Sequence, residues 1–152
     1  MQQKMNLKKR LLSALLTLIM VAGLLPTVAL AAEVSHPVPG GSIKFDKDTK
    51  TITGFDGDPT QVTIPSTIGG VAVESIGRRA FESCITLTSV TIPNSVTSIG
   101  GSAFKDCTEL PSVTIPNSVT SIGTSAFEGC SKLTSVKIPN SVMKIGASAF
   151  QG

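Results

Sequence analysis

The hydrophobic and polar positions of the chain repeat with a fixed period over its carboxyl-terminal half. The dipeptide Ile-Gly recurs at positions 76, 99, 122 and 145, so that the period is constant at 99 − 76 = 23. Ala-Phe, Cys, Leu, Val-x-Ile-Pro and Asn-Ser-Val follow it in the same order in each complete unit. Three complete units and a truncated fourth span 76–98, 99–121, 122–144 and 145–152. A period this short predicts a solenoid, in which each unit forms one coil and buries its apolar side chains by stacking on its neighbours.

Each unit predicts one short β-strand followed by turns. In the segment 87–92, Val90 and Ile92 alternate with polar residues, which is the period of two of a half-buried strand. Pro93 ends this strand because it has no N–H group to donate to a ladder. The segment from Ser102 to Cys107 is expected to form short helical turns with its apolar residues on one side. Successive strands would stack about 4.8 Å apart as a parallel sheet.

The residues before the regular units depart from this pattern, as a capping repeat does. Ile43–Phe45 and Thr51–Thr53 flank a polar turn and predict a β-hairpin. The strand-plus-proline unit recurs at Gln61–Pro65, but the interval from Ile64 to its next copy at position 92 is 28 rather than 23. We therefore interpret 43–75 as an amino-terminal capping repeat and 32–42 as a linker.

The segment 1–31 has the three parts of a secretory signal. Lys4–Arg10 is basic, Leu11–Leu25 is an apolar run of fifteen that Pro26 breaks, and Ala29–Ala31 is an A-x-A cleavage motif. A run of fifteen falls short of the roughly 18 residues that span a bilayer, so an uncleaved membrane anchor is the weaker alternative. We predict cleavage after Ala31, export, and a mature chain that no segment holds to a membrane.

Composition and charge argue against an enzyme and against nucleic-acid binding. The 152 residues include no Trp, no Tyr and one His, so a His-based metal cluster is excluded and any catalytic imidazole would have to be His36. The formal charge of +3 rests on four basic residues near the start. From Ala32 onward nine basic residues face ten acidic ones, a net charge of 9 − 10 = −1, which gives no basic surface for nucleic acid. No enzyme activity and no cofactor are expected.

The pattern Ile-Gly-x-x-Ala-Phe-x-x-Cys-x-x-Leu-x-x-Val-x-Ile-Pro-x-x-Val resembles the BspA-like class of bacterial surface leucine-rich repeats. The resemblance is close from Ile76 to Gly152 and reaches back, with an irregular first coil, to about Ile43. It implies a leucine-rich repeat solenoid with a parallel β-sheet on the concave face. It also implies a secreted or cell-surface protein that adheres to host or microbial partners and is often longer. Because the chain stops one residue before the expected fourth Cys, we expect a fragment or an unusual ending.

The outward positions of the predicted sheet form two rows and are the candidate partner-binding face. They are Gln61, Thr63, Ser89, Thr91, Ser112, Thr114, Ser135 and Lys137. A flat, hydroxyl-rich, weakly charged surface suits an extended protein partner or a glycan, and a regular Thr array is a remote match to an ice-binding plane. Thr is also a good strand former, so a face that is only solvated remains an equal alternative.

Two further sets of residues have a chemical and a structural interpretation. Cys84, Cys107 and Cys130 recur at one core-facing position and predict a column of free buried thiols, with a disulfide between neighbouring coils as the alternative. A Cys nucleophile lacks a base partner. Asp46-x-Asp48 and Asp56-x-Asp58 could bind calcium, but their role as ordinary turn formers is the simpler interpretation. No metal is expected.

Two functional hypotheses follow from these observations. The leading one is a noncatalytic extracellular protein that binds a protein or glycan of unknown identity. The alternative is a repeat segment of a larger cell-surface or wall-associated hydrolase whose catalytic domain is outside this chain. A passive spacer without any partner is a third possibility.

Overall fold

The computed structural model describes residues 33–152, so the predicted signal segment and its cleavage site lie outside the described residues. This part of the chain forms short β-strands connected by tight turns. In chain order the strands are β1 (Glu33–Val38), β2 (Gly41–Asp46), β3 (Thr51–Gly57), β4 (Gln61–Thr63), β5 (Thr67–Ile68), β6 (Val71–Ala72), β7 (Ser75–Ile76), β8 (Ser89–Thr91), β9 (Ser98–Ile99), β10 (Ser112–Thr114), β11 (Ser121–Ile122), β12 (Ser135–Lys137) and β13 (Lys144–Ile145). The described residues contain no helix that could span a bilayer.

Each regular coil contributes one two-residue and one three-residue strand to the stack. The two-residue strands β7, β9, β11 and β13 pair in parallel, with Ile99 of β9 beside Ile76 on one side and Ile122 on the other. The three-residue strands pair in parallel as β4–β8 and β10–β12. The fold is therefore a solenoid of stacked coils with parallel strands, and the prediction of a leucine-rich repeat solenoid is confirmed.

A three-stranded antiparallel meander closes the amino-terminal end of the stack. β1 pairs with β2, β2 pairs with β3, and β3 pairs in parallel with β7, so that one seven-stranded sheet includes the meander and the two-residue strands. The interpretation of residues 32–42 as a linker is wrong, because Glu33–Val38 forms β1. Val34 and Val38 of this strand pack against the core. Pro37 is tolerated because β1 is an edge strand, where a missing N–H group is harmless.

The segments that follow the two-residue strands are successions of tight turns, and the expected short helical turns are not observed between residues 33 and 152. Lys105 donates its N–H group to Ser102 O within the same coil, at 3.1 Å. Phe104 instead donates to Ala126 O of the next coil, at 2.8 Å. Because the backbone is left-handed at Ser102 (φ 55°) and Asp106 (φ 58°), successive N–H groups point in turn to the same coil and to the next coil. Since N–H groups that point to the next coil cannot bond within a helix, the segment stays non-helical.

A column of phenylalanine rings runs through the core along the stacking direction. The rings of Phe81, Phe104 and Phe127 stack with centroids 5.2 Å apart and are tilted by at most 5°. Phe150 continues the column at 5.3 Å from Phe127. Phe55 of the meander extends it at the other end, 5.6 Å from Phe81 and tilted by 35°. The meander and the regular coils thus share one core.

The glycine of each Ile-Gly pair is required because the neighbouring coil approaches its backbone. A Cβ atom on Gly77 would lie 2.6 Å from Ile52 O, and one on Gly100 would lie 2.8 Å from Arg78 N. Neither glycine has a positive φ, so sterics between coils rather than backbone conformation exclude larger residues here. Any side chain at these positions would push two coils apart.

Candidate partner-binding face

The eight residues of the predicted face are all exposed on the three-residue strands. In each of these strands the two outer residues point to solvent, while the central valine is buried or half-buried. The registered pairs are Gln61 with Ser89, Thr63 with Thr91, Ser112 with Ser135, and Thr114 with Lys137. We refer to these eight residues as the hydroxyl face. The alternation along each strand thus places two parallel rows of polar side chains, mostly short hydroxyl-bearing ones, on one surface.

The hydroxyl face is interrupted where β8 and β10 lie next to each other without pairing. Thr88 donates its N–H group to Thr60 O of the preceding coil at 2.8 Å, and Thr134 donates to Pro111 O at 3.1 Å. Pro111 occupies the same position of the intervening coil and has no N–H group to donate. Among residues 33–152, the structure records pairing of β4 with β8 and of β10 with β12, but none of β8 with β10. The expected continuous parallel sheet is therefore two paired strips.

Hydroxyl groups elsewhere in the coils are used to join neighbouring coils. Ser118 donates its hydroxyl to Val96 O at 2.6 Å, and Ser141 makes the same bond one coil later, to Val119 O at 2.8 Å. Thr97 likewise bonds to a main-chain oxygen of the preceding coil. These bonds satisfy main-chain carbonyl groups of the preceding coil. The equivalent hydroxyl of Ser95 is buried and has no partner within residues 33–152.

The hydroxyl groups of the hydroxyl face make no such bonds. Within residues 33–152, none of their side-chain oxygens takes part in a hydrogen bond to the protein; these are the hydroxyls of Thr63, Ser89, Thr91, Ser112, Thr114 and Ser135. A hydroxyl group offers one donor and two acceptor sites. The face therefore presents two rows of donors and acceptors to solvent or to a partner.

Charged side chains lie mostly outside the hydroxyl face. Three ion pairs join neighbouring coils, namely Lys50–Glu74, Lys105–Glu128 and Lys132–Glu109. The hydrogen bond from Lys105 lowers the pKa of Glu128, and the same bond raises the pKa of Lys105. Lys137 is the one charged member of the hydroxyl face and makes no ion pair with a residue in 33–152. The face is thus nearly neutral, with one positive charge at its carboxyl-terminal end.

The three cysteines are free thiols that serve packing. The thiols of Cys107 and Cys130 are buried and donate to main-chain oxygens of the preceding coil, at 3.2 and 3.1 Å. Cys84 differs from the prediction in being only half-buried. Burial, and then the charge of Asp58, raise its pKa to about 11. The neighbouring Cys130 sulfur and burial raise the pKa of Cys107. Because the thiolate is the reactive form, Cys84 and Cys107 are poor nucleophiles at neutral pH.

The aspartates that could have bound calcium stabilise the meander. Asp46 accepts the N–H groups of Thr49 and Asp48, at 3.1 and 2.9 Å, and these bonds lower its pKa. Asp56 forms an ion pair with Lys44, with 2.8 Å between the charged atoms. In the part of the chain that the structure describes, no group of three or more His, Cys, Asp or Glu side chains is placed to hold a metal ion.

Comparison with protein families identifies the repeats. Residues 58–152, more than half of the chain, match the family model described as BspA type leucine rich repeat region, in six copies. No curated protein matches the chain at a significant level.

Solved bacterial structures share the fold. A leucine rich cell surface protein from Faecalibacterium prausnitzii is 38% identical, with a TM-score of 0.63 over 77% of this chain and 34% of that one. A leucine-rich repeat protein from Bacteroides ovatus is 32% identical, with a TM-score of 0.60 over 80% and 32% of the two chains. The T. pallidum leucine-rich repeat protein is 26% identical, with a TM-score of 0.58 over 78% and 67%. The chain spans about a third of the first two proteins.

Proposed function

The chain belongs to the BspA-type leucine-rich repeat family, and on that premise we propose that it is a noncatalytic bacterial surface protein that binds an extracellular partner through its hydroxyl face. Repeat proteins recognise partners by presenting the same positions of successive units on one extended surface. The two rows of the hydroxyl face are such a surface.

The observation that carries this proposal is the unused hydrogen-bonding capacity of the face. Hydroxyl groups at other positions, such as Ser118 and Ser141, bond to the neighbouring coil and have a structural role. Those of Thr91 and Thr114 lie at exposed strand positions and have no partner within residues 33–152. Their hydroxyls supply donors and acceptors that a partner can use.

The chemistry of the face favours an extended polypeptide over a glycan. None of its eight residues is aromatic, so it offers no ring for a sugar to stack on. Within the β4–β8 pair and the β10–β12 pair, the outward positions repeat at the inter-strand spacing of about 4.8 Å. A polypeptide can hydrogen-bond to such rows with its peptide groups and polar side chains. The positive charge of Lys137 at one end favours a partner with an acidic group there.

A location outside the cell is part of the same proposal. The signal-like pattern of the segment 1–31 supports export. The similarity to a leucine rich cell surface protein from Faecalibacterium prausnitzii supports the same location. Binding of a host or microbial surface component then becomes the expected role.

The test begins with capture of partners from host-matrix and microbial-surface extracts on the chain from Ala32 to Gly152. Binding of the captured partner is then measured for a Thr91→Asp/Thr114→Asp variant. Carboxylates at these exposed positions leave the buried side of the strands unchanged, but they must be desolvated in an interface. We expect affinity to fall at least tenfold.

The matched control carries the same two charges on another side of the coils. Thr124 and Ala147 are exposed, lie one repeat period apart and belong to the turn segments, so Thr124→Asp/Ala147→Asp reproduces the charge and its spacing. Lys105 and Glu128 are unsuitable because they form an ion pair between coils. Full binding by the Thr91/Thr114 variant together with loss in the control would place the site on the turn segments and refute the proposal.

A further inference from the structure

The gap between β8 and β10 leaves a main-chain carbonyl group without a donor at one end. In the paired coils, Thr60 O and Pro111 O accept the N–H groups of Thr88 and Thr134, at 2.8 and 3.1 Å. The equivalent acceptor between them is Thr88 O, and the residue opposite it is Pro111, which has no N–H group. Thr88 O therefore accepts no main-chain hydrogen bond within residues 33–152.

The other end of the gap has an unpaired N–H group beside a carbonyl group. Ile64 and Ile115 donate their N–H groups to main-chain oxygens of the following coil, at 3.0 and 3.3 Å. The equivalent N–H group of Ile92 makes no bond to Thr114 O and no other main-chain hydrogen bond within residues 33–152. The gap between β8 and β10, with Thr88 O at one end and Ile92 N–H and Thr114 O at the other, is called the seam below.

The seam is open on the side of the hydroxyl face and closed elsewhere. Val62 and Val113 are 2% and 3% exposed, whereas Val90, at the equivalent position between them, is half-buried although a complete coil follows it. The rings of Phe81 and Phe104, in the same two coils, stay 5.2 Å apart, and β9 stays paired with β11. A further strand would need about 4.8 Å of additional separation between the coils, so the seam accommodates a side chain rather than a strand.

On the basis of the proposed function, we propose that the seam binds an asparagine or glutamine side chain of an extended polypeptide that lies along the hydroxyl face. A carboxamide group has an oxygen acceptor and two N–H donors. It can accept the N–H group of Ile92 and donate to Thr114 O at the same time. These are the two groups that would bond to each other if β8 and β10 were paired.

Other polar side chains match the seam less well. A carboxylate only accepts hydrogen bonds and would be repelled by Thr114 O, whereas an ammonium or guanidinium group only donates and would leave Ile92 N–H unpaired. A hydroxyl group donates and accepts, but in Ser and Thr it is attached directly to Cβ. The exposed side chains of Thr91 and Thr114 flank the seam and keep a partner backbone too far away for so short a side chain.

A second side chain of the same polypeptide reaches the other end of the seam. Thr88 and Ile92 are 92 − 88 = 4 residues apart. Side chains four positions apart in an extended chain lie on the same side, about 13 Å from each other. The seam therefore selects a carboxamide together with a second N–H donor four positions away, which bonds to Thr88 O.

The experiment closes the seam by restoring one N–H group. Pro111→Thr gives this coil the residue that Thr88 and Thr134 provide in its neighbours, and Pro111→Ala restores the N–H group without the hydroxyl. Both variants are expected to pair β8 with β10 and to slow hydrogen exchange of the Ile92 amide at least tenfold. Folded variants with unchanged exchange of Ile92 would overturn the assignment of the seam to the missing N–H group, and with it the proposal.

The probe is a library of random heptapeptides displayed on phage and selected on the chain from Ala32 to Gly152. Selected peptides are expected to carry Asn or Gln with a donor side chain four positions away. Each synthetic peptide should bind the parent at least tenfold more tightly than either Pro111 variant, and replacement of its Asn by Asp or its Gln by Glu should weaken binding as much. Selection without such peptides, or equal binding to the parent and the Pro111 variants, would overturn the proposal, since the seam would then hold only water.

The captured partner separates this proposal from the proposed function. Affinity that is lost in Thr91→Asp/Thr114→Asp but retained in Pro111→Thr would overturn the seam as a site and leave the hydroxyl face as the docking surface. Heptapeptides that depend on the seam, together with a captured partner that the Thr91/Thr114 variant binds in full, would refute the proposed function and leave the seam as a site for carboxamide side chains.

Discussion

Lys105 Nζ lies 2.7 Å from Glu128 Oε1, and the ion pair joins two neighbouring coils because the two residues are one repeat period apart. Both side chains are about 30% exposed, so solvent weakens the attraction between the charges. The pair nevertheless has a direct consequence for stability at acid pH.

The free energy of unfolding is expected to depend on this pair below neutral pH. The hydrogen bonds from Lys105 and then Ser125 hold the pKa of Glu128 below its usual value of 4.5. Because the folded-state pKa is the lower one, the stabilisation is present above pH about 4.5 and is lost as the pH falls through the folded-state pKa. Urea unfolding of the parent and of Glu128→Gln should therefore show a smaller loss of stability between about pH 6 and about pH 3 in the variant. Equal losses in the two proteins would contradict the role of this pair.

The ring column predicts unequal effects of two phenylalanine substitutions. Phe104 has a stacked ring on each side, so Phe104→Ala leaves an enclosed cavity and should reduce the free energy of unfolding by about 3 to 5 kcal/mol. Phe150 is half-buried and has a stacked neighbour on one side, so Phe150→Ala should have a much smaller effect. Chemical unfolding of both variants gives the comparison, and similar losses would be inconsistent with a stacked column.

The glycine column makes a second stability prediction. A Cβ atom on Gly123 would collide with the backbone of Gly101 in the preceding coil, and a backbone cannot move aside as a side chain can. Gly123→Ala should therefore destabilise the fold by about 2 kcal/mol or more. Gly54→Ala is the control, because its Cβ would make an ordinary contact with Lys44 at 3.5 Å. Thermal unfolding that finds the two variants equally stable would refute coil-to-coil sterics as the reason for this glycine.

Export makes a prediction about the mature chain. The A-x-A motif at Ala29–Ala31 predicts signal-peptidase cleavage after Ala31. The intact mass of protein recovered from the medium or the cell surface of an expressing bacterium should correspond to a chain that begins at Ala32, within a residue or two. Recovery only of membrane-bound protein that retains Met1 would show that the segment is an anchor.

The sequence predicts the parts of the structure that depend on local alternation. The period of two in each strand determines which side chains point outward, so all eight residues of the hydroxyl face are exposed as expected. The recurrence of Phe at the same position of every unit likewise predicts the ring column. Whether the exposed face binds a partner stays a prediction.

Features that depend on contacts between coils cannot be predicted from the alternation of residues within one strand. The strand β1 resembles a linker because Pro37, Pro39 and Gly40 lie in and just after it, although the alternation of Val34 and Val38 marks one side of a strand. The left-handed turns at Ser102 have no local signature, since bonds to the next coil stabilise them. The interruption of the hydroxyl face at Pro111 becomes evident only when Pro111 is aligned with Thr88 and Thr134, which donate their N–H groups at the same position of the neighbouring coils.

The most direct test of the docking role of the hydroxyl face is an NMR titration of the chain from Ala32 to Gly152 with the captured partner. Shift changes of the amides and side chains are expected to cluster on β8, β10 and β12, including Thr91 and Thr114, and to spare the turn segments around Thr124 and Ala147. Shift changes confined to the turn segments, with β8 and β10 unaffected, would contradict that role.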